Sequence, residues 1–365
     1  MKSAVLEEFG QPLVITDVEI GEPGPDEVLV RTAAVGLCHS DLHMMNGARE
    51  YPLPAILGHE VSGIIEKVGS AVNGFEVGDH VVGSLSVHCG HCPLCDAGHQ
   101  VLCGNTDVRK APGQAERLWK DETKVSQVFN ISGFAEKILV HHSALVSIRK
   151  DMPLDRAALL GCAVLTGTGA VFRSAEVQPG SKVVVVGCGG VGLSAINGAA
   201  IAGAAQIIAV DPLDDKLAMA KRFGATDVVN AKADNVVEQV CELTGGGVDY
   251  AFECIGLEVT TSQCYNMLAP SGLAVVIGLF KPGSVVELPA EGFLSEKRIQ
   301  GSFMGSNRLS IDIPRLVELY MKGQLKLDDL ISKRISLEQI NEGFDLMRDG
   351  RAARSVVVFP ETTPA

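Results

Sequence analysis

The chain has 365 residues, 46% hydrophobic and 21% charged, with a formal net charge of −13. That length exceeds one ordinary core and predicts two domains, while the acidic balance, with no Lys/Arg cluster to offset it, argues against a nucleic-acid surface and against anionic membranes. No run of 18 or more apolar residues exists and acids interrupt the first eight residues before a signal-like segment develops, so a cytoplasmic location is expected, and the ten cysteines predict metal binding rather than disulfides.

Short strands punctuated by Gly and Pro are predicted at 4–7, 27–34, 61–68, 80–83 and 135–140, giving a β-rich domain over 1–163. It contains Gly36-Leu-Cys38-His39-Ser40-Asp41-Leu-His43 and Gly58-His59-Glu60. A thiolate and an imidazole with one further soft donor would hold Zn²⁺ and leave a fourth position open, and Asp41 and Glu60 lie close enough in sequence to orient the ligands. Taken alone, Cys38 reads equally as a small buried hydrophobe and His59 as a satisfied turn residue.

Next comes Cys89-x2-Cys92-x2-Cys95-x7-Cys103, whose four thiols can close a tetrahedron around a structural Zn²⁺ with no position left for substrate. His88, His91 and His99 read as solvated loop residues. The polar segment 104–133, which holds the single tryptophan, Trp119, is expected to be a functional loop or cover, or else a plain surface insertion. Cys162, just before the next domain, is the candidate third donor, placed where a domain junction would bring metal and nucleotide together.

From about 164 strands alternate with helices, at 182–186, 207–210, 227–229, 249–253, 273–278 and 298–303, which predicts a doubly wound parallel sheet over 164–303. The first turn carries Gly187-Cys-Gly189-Gly190-Val191-Gly192, with a strand before it, a helix after it, and Asp211 ending the next strand. That context identifies a dinucleotide fingerprint: tight turn, close approach of the pyrophosphate to the helix N-terminus, close helix packing. Asp211 would accept from both adenosine ribose hydroxyls and repel a 2′-phosphate, favouring NAD over NADP, with Lys216 on the ribose side or simply solvated. Residues 304–365, with helices at 313–322 and 337–347 and a strand at 355–359, are too few for a separate core and are expected to return to the first domain.

In their order and spacing, Gly36–His43, Gly58–Glu60, the four-cysteine lobe, Gly161-Cys162, Gly187–Gly192 and Asp211 resemble the zinc-dependent alcohol dehydrogenases of the medium-chain dehydrogenase/reductase superfamily. This family is itself the standard example of a two-cysteine, one-histidine catalytic zinc, so the ligand set is recognised as well as derived. The resemblance implies an α/β chain with a GroES-like β-rich catalytic domain and a Rossmann NAD-binding domain. It implies two zincs per chain, the catalytic one on Cys38, His59 and Cys162 with Glu60 behind it or exchanging as a ligand, the structural one on Cys89, Cys92, Cys95 and Cys103. Ser40 would take the alcohol proton and pass it through the nicotinamide ribose to His43. His39 and Arg354 match positions on the cofactor pyrophosphate, and Thr166 one against the nicotinamide.

Counting from the motifs places Leu85, Val128 and Phe129 around the substrate and Arg49 near the mouth, although apolar residues serve equally as core. The expected activity is hydride transfer between NAD and a primary alcohol/aldehyde pair, aromatic alcohols included. The alternative is the glutathione-dependent formaldehyde branch. It pairs an acid with an arginine, whereas counting puts Arg49 and Asp107 there, as if exchanged, with Arg109 close by. A non-catalytic nucleotide-binding protein on the same fold is the remote reading, against which the intact ligand set argues. The family also implies a homodimer or homotetramer joined through an edge strand of the nucleotide domain, with 284–288 as the candidate.

Overall fold

The computed structural model describes residues 1–111, 113, 117–349 and 354–360. They form two compact units, one built on Met1–Cys162, Arg308–Lys322 and the chain from Leu327, the other on Ala163–Asn307 with Gly323–Lys326.

The first unit opens with strands β1 (Lys2–Leu6), β2 (Val14–Asp17), β3 (Glu19–Ile20) and β4 (Glu27–Gly36), then helix α1 (His39–Met45). It continues through β5 (Ala55–Ile56), β6 (Glu60–Val68), β7 (His80–Gly83), β8 (Leu118–Lys120), β9 (Thr123–Gln127), β10 (Lys137–His141) and β11 (Leu145–Ile148). The central pair is β4 and β6, antiparallel from Val28↔Val68 to Gly36↔Glu60. The absence of a side chain at Gly36 is required there, since a Cβ would lie 2.2 Å from the Glu60 carboxylate.

The second unit carries β12 (Lys182–Val186), β13 (Gln206–Asp211), β14 (Asp227–Asn230), β15 (Val248–Glu253), β16 (Leu268–Val276) and β17 (Arg298–Gly301), in the order β14-β13-β12-β15-β16-β17. All its ladders are parallel. Val183 to Val186 is an unbroken β-branched run because both faces of a central parallel strand are covered, and each of the four valines is at most 2% exposed. Strand order reverses between β12 and β15, so the carboxyl ends of these strands form the switch point where such sheets bind ligands.

The chain then adds β18 (Ile331–Ile335) and β19 (Arg354–Val358) to the first unit, β19 pairing antiparallel with β4 through Val356↔Gly36. The first unit thus holds a sheet in the order β11-β7-β6-β4-β19-β18, with β10 also on β4, and a second in the order β2-β1-β5-β9-β8-β3.

Segment 104–133, expected as a functional loop or cover or else a surface insertion, contains the β8–β9 hairpin, in which Trp119 pairs with Glu19 and Lys124 and packs on Gly21, where a Cβ would touch its ring at 3.4 Å. Its polar composition hid the strands because they are short and lie near the surface. Residues 284–288, expected as an edge strand, form no strand; the edges of the parallel sheet are β14 and β17.

Candidate active site and metal centres

Cys38 has extended backbone and caps α1, the end of β4 having delivered it there. Asp41, at the third helical position, is fully buried and accepts from the Cys38 N–H at 3.3 Å and from the Gly58 N–H at 3.0 Å. The same carboxylate lies 3.0 Å from His59 Nδ1. One acid therefore caps the helix, joins it to the Gly58 turn and fixes the imidazole with Nε2 pointing away. His59 Nε2 is buried and has no hydrogen-bond partner within the protein. An orphaned ring nitrogen beside two buried thiols is what a metal ligand looks like without its metal.

The donor atoms of Cys38, His59 and Cys162 all lie within 4.8 Å of one another, so the residues fit a three-ligand zinc with an open fourth position. The Cys38 thiol is held well below its ordinary range, first by the hydrogen bond from Cys162 and then, against burial, by the Arg354 charge. Burial opposes protonation of His59, but the Asp41 charge and hydrogen bond outweigh it and raise the basicity of the ring. Glu60 is pushed up to about 8, by burial first, with Arg354 pulling the other way.

Arg354, matched by resemblance to a pyrophosphate position, is 3% exposed. It lies 3.3 Å from Glu60, donates to the Leu37 carbonyl at 3.3 Å and approaches Cys38 Sγ at 3.8 Å. A buried cation here faces the Cys38 thiol and the Glu60 carboxyl and favours the charged form of each. Glu60 itself stands outside the group of converging donor atoms.

Cys89, Cys92, Cys95 and Cys103 form the second group, with sulfurs 3.7 Å (Cys89–Cys103), 3.9 Å (Cys92–Cys103) and 4.0 Å (Cys89–Cys95) apart. A tetrahedron with zinc–sulfur bonds of about 2.3 Å has edges of about 3.8 Å, so these thiols fit a closed zinc site.

On α1, Ser40 Oγ is 3.7 Å from Cys38 Sγ, and His43, three residues on and so on the same face, is exposed. His39 and Arg49 are exposed. The Phe129 ring meets the His59 ring edge-on at 4.7 Å between centroids. It is carried by a turn in which Phe129, Asn130 and Ser132 have φ of 58°, 59° and 58°, a left-handed conformation that costs non-glycine residues about 1 kcal/mol or more each. Gln127 (to the Ile131 and Leu139 carbonyls) and Ser132 (to Ile56) hold that turn with buried hydrogen bonds. Val128 is fully buried and Leu85 is 9% exposed. Val108, which counting missed, packs on the same core cluster as Phe129 and Val128; its signal is that it is the only apolar residue between Gly104 and Lys110.

In the second unit Gly187 has φ +96°, and a Cβ there would strike Ile255 at 2.6 Å; one on Gly192 would lie 1.8 Å from the Gly187 carbonyl. Around Gly189 nothing lies within 4 Å, and it begins the helix Gly190–Ile201, so the N–H groups of that first turn, Gly190 and Val191 among them, face an open cradle. Asp211, 3% exposed, accepts from Cys188 N–H at 2.9 Å and Leu213 N–H at 3.0 Å, which fixes the carboxylate and leaves each oxygen a second lone pair for a ribose hydroxyl. Burial and then the Asp211 charge push the Cys188 thiol up to about 12, with the Lys216 charge opposing. Thr166 donates to the Met304 thioether at 3.6 Å.

Residues 24–150 match the model of the alcohol dehydrogenase GroES-like domain and 190–322 that of the zinc-binding dehydrogenase family. The alcohol dehydrogenase class-3 of Pisum sativum is 37% identical over 98% of this chain and 97% of its own length. Among solved structures, an alcohol dehydrogenase zinc-binding domain protein from Burkholderia ambifaria superposes with a TM-score of 0.94 at 37% identity, over 99% of both chains. Benzyl alcohol dehydrogenase from Acinetobacter calcoaceticus gives 0.93 at 34% identity, over 98% of this chain and 99% of its own. With a three-ligand site and a four-cysteine site both built for zinc, and an NAD cradle beside Asp211, the chain belongs to the zinc-dependent alcohol dehydrogenases of the medium-chain dehydrogenase/reductase superfamily.

Proposed function

We propose that the chain oxidises primary alcohols with an apolar, preferably aromatic, substituent to aldehydes, and catalyses the reverse. The observation that carries this is the Phe129 ring seated edge-on against the ligand His59, with the fully buried Val128 beside it in sequence and in the same core cluster. The arginine nearest the expected anion anchor, Arg109, spends its guanidinium on backbone carbonyls, among them Cys103 at 2.8 Å, which leaves it poorly placed to hold a charged thiol adduct.

Bound zinc supplies Lewis acidity that makes a coordinated alcohol acidic near neutral pH, and bound NAD accepts the hydride. In this reading Ser40 takes the proton from the alcohol and the exposed His43 delivers it to water. Asp41 keeps His59 oriented, and Arg354 with Glu60 keeps the charge behind the thiolates balanced.

The test is NADH formation from linear, branched and benzylic alcohols, together with formaldehyde with and without glutathione. Benzylic alcohols should lead in kcat/KM; turnover of formaldehyde that requires glutathione would overturn the assignment. We also propose a homo-oligomer formed through β17, beside which Phe293 and Leu294 are 53% and 91% exposed. Light scattering on a sizing column that returns a monomer would refute it.

A further inference from the structure

Arg109 belongs to neither group of metal-ligand candidates, yet its side chain links the four-cysteine lobe to a residue assigned to the substrate. Its guanidinium donates to the Cys103 carbonyl at 2.8 Å and the Val101 carbonyl at 3.2 Å, both in the lobe, and to the Leu85 carbonyl at 3.5 Å. Leu85 follows β7, whose last residue, Gly83, presents its carbonyl against Gly161: a Cβ on Gly161 would lie 2.3 Å from it. The segment carrying Leu85 therefore leaves the sheet beside the ligand Cys162.

The next residue makes a second brace. Lys110 N–H donates to Asn130 Oδ1 at 3.0 Å, and Asn130 is the left-handed residue immediately after Phe129. Asparagine tolerates that conformation, and the hydrogen bond joins those of Gln127 and Ser132 in holding the turn that carries Phe129 against His59. Arg109 N–H also bonds the Asn105 carbonyl at 2.8 Å, and Asp107 N–H bonds Asn105 Oδ1 at 2.9 Å, so the segment is itself a closed turn and not a loose tether.

We propose that Arg109 is a positioning residue that ties both pocket walls, Leu85 directly and Phe129 through Lys110 and Asn130, to the four-cysteine lobe, and so sets which alcohols the pocket admits. The inference rests on the assignment of Leu85 and Phe129 to the substrate. It gives the lobe a role in specificity in addition to stability, because the carbonyls that anchor Arg109 are held in place by the residues between Cys95 and Cys103.

Two variants of the holoenzyme test it. Arg109→Lys puts its donors on a single atom, which can serve the Val101 and Cys103 carbonyls bonded by Nη1 but lacks the second nitrogen that reaches the Leu85 carbonyl. Asn130→Gly keeps the left-handed backbone and removes the acceptor for Lys110. For each, four quantities are measured: the ratio of kcat/KM for benzyl alcohol to that for ethanol, KM for NAD⁺, zinc per chain, and the calorimetric Kd of benzamide, an unreactive aldehyde analogue, in the presence of NADH. In both variants the ratio is expected to fall about tenfold, what a methylene-sized misfit is worth. KM for benzyl alcohol should carry the fall, with benzamide Kd rising in parallel, KM for NAD⁺ unchanged and two zincs retained.

An unchanged ratio and benzamide Kd in both variants would overturn the proposal. So would loss of the lobe's zinc with an unchanged ratio, which would confine Arg109 to the lobe. If Arg109→Lys does not fold, Asn130→Gly decides alone. If the parent enzyme rejects benzyl alcohol, the aromatic reading fails, and 1-hexanol against ethanol decides the role of Arg109 separately.

Discussion

Replacing Asp41 by Asn keeps the shape of a fully buried side chain but removes the charge on which three contacts converge. The amide oxygen can stay toward Gly58 N–H and His59 Nδ1–H, both at 3.0 Å, but the amide nitrogen then faces the Cys38 N–H, donor against donor. Hydrogen bonds to a charged acceptor contribute about 1.5–3 kcal/mol and neutral ones about 1 kcal/mol, so weakening two and inverting a third costs about 2–3 kcal/mol. Most of that falls on the orientation of His59 and Cys38, which corresponds to zinc binding about 10–100-fold weaker. The four-cysteine site shares no residue with this network and should be spared. Dialysis against a graded chelator series, with zinc per chain by mass spectrometry and turnover before and after zinc is restored, should show the variant falling from two zincs to one at chelator levels the parent survives. Retention equal to the parent's would refute Asp41 as the orienting group. Simultaneous loss of both zincs would refute the local nature of the effect.

Gly189→Ala meets no protein atom within 4 Å, so the melting temperature should stay near the parent's while NAD⁺ Kd rises at least about tenfold because the methyl enters the cradle. Gly192→Ala puts a Cβ 1.8 Å from a carbonyl oxygen and should unfold or strongly destabilise the nucleotide unit in the same melting assay. Asp211→Ser should weaken NAD⁺ and narrow the preference over NADP⁺ about tenfold or more, read as the ratio of the two kcat/KM values; a preserved ratio would move the specificity elsewhere. His141 accepts from Ser143 N–H at 3.2 Å and lies 2.8 Å from its hydroxyl, and burial first, then the neighbouring His142, lower it from 6.5 to about 4. The unfolded chain therefore binds this proton more readily, so the contribution is complete above pH 6.5 and is lost as pH falls toward 4. It amounts to at most about 3 kcal/mol, and roughly 1–2 for a half-exposed ring. Denaturant unfolding of His141→Gln should show a flatter pH dependence over that window.

The sequence predicts best where one physical requirement dominates a stretch. The strand 182–186 is read with its observed ends because a run of valines between lysine and glycine has no other stable use, and the fingerprint glycines are legible because each answers a separate steric demand. The four-cysteine ligands were readable from donor chemistry and spacing, and the set of Cys38, His59 and Cys162 from donor chemistry together with the family resemblance. The β8–β9 hairpin was not, since three- and five-residue strands with partly exposed faces leave too short a period to detect. Arg354 illustrates a different limit. Its local sequence is that of a solvated charge, and its burial follows from β19 pairing with β4, a fact of topology that no local pattern encodes. The left-handed turn at Phe129 is likewise invisible, because its cause is the set of hydrogen bonds around it and not the residues in it.

The placement of Arg354 also bears on how the enzyme comes into being. Its contacts with Cys38 and the Leu37 carbonyl close loops of 316 and 317 residues. During synthesis, residues 38, 59 and 162 emerge long before residue 354, so the cation that faces Glu60 and Cys38 in the folded chain is the last of these groups to become available. Long-range closure of this kind is entropically late. Maturation therefore has a built-in order, in which a nascent chain can load the four-cysteine lobe from one contiguous segment but cannot complete the electrostatics of its reactive centre until β19 has docked against β4.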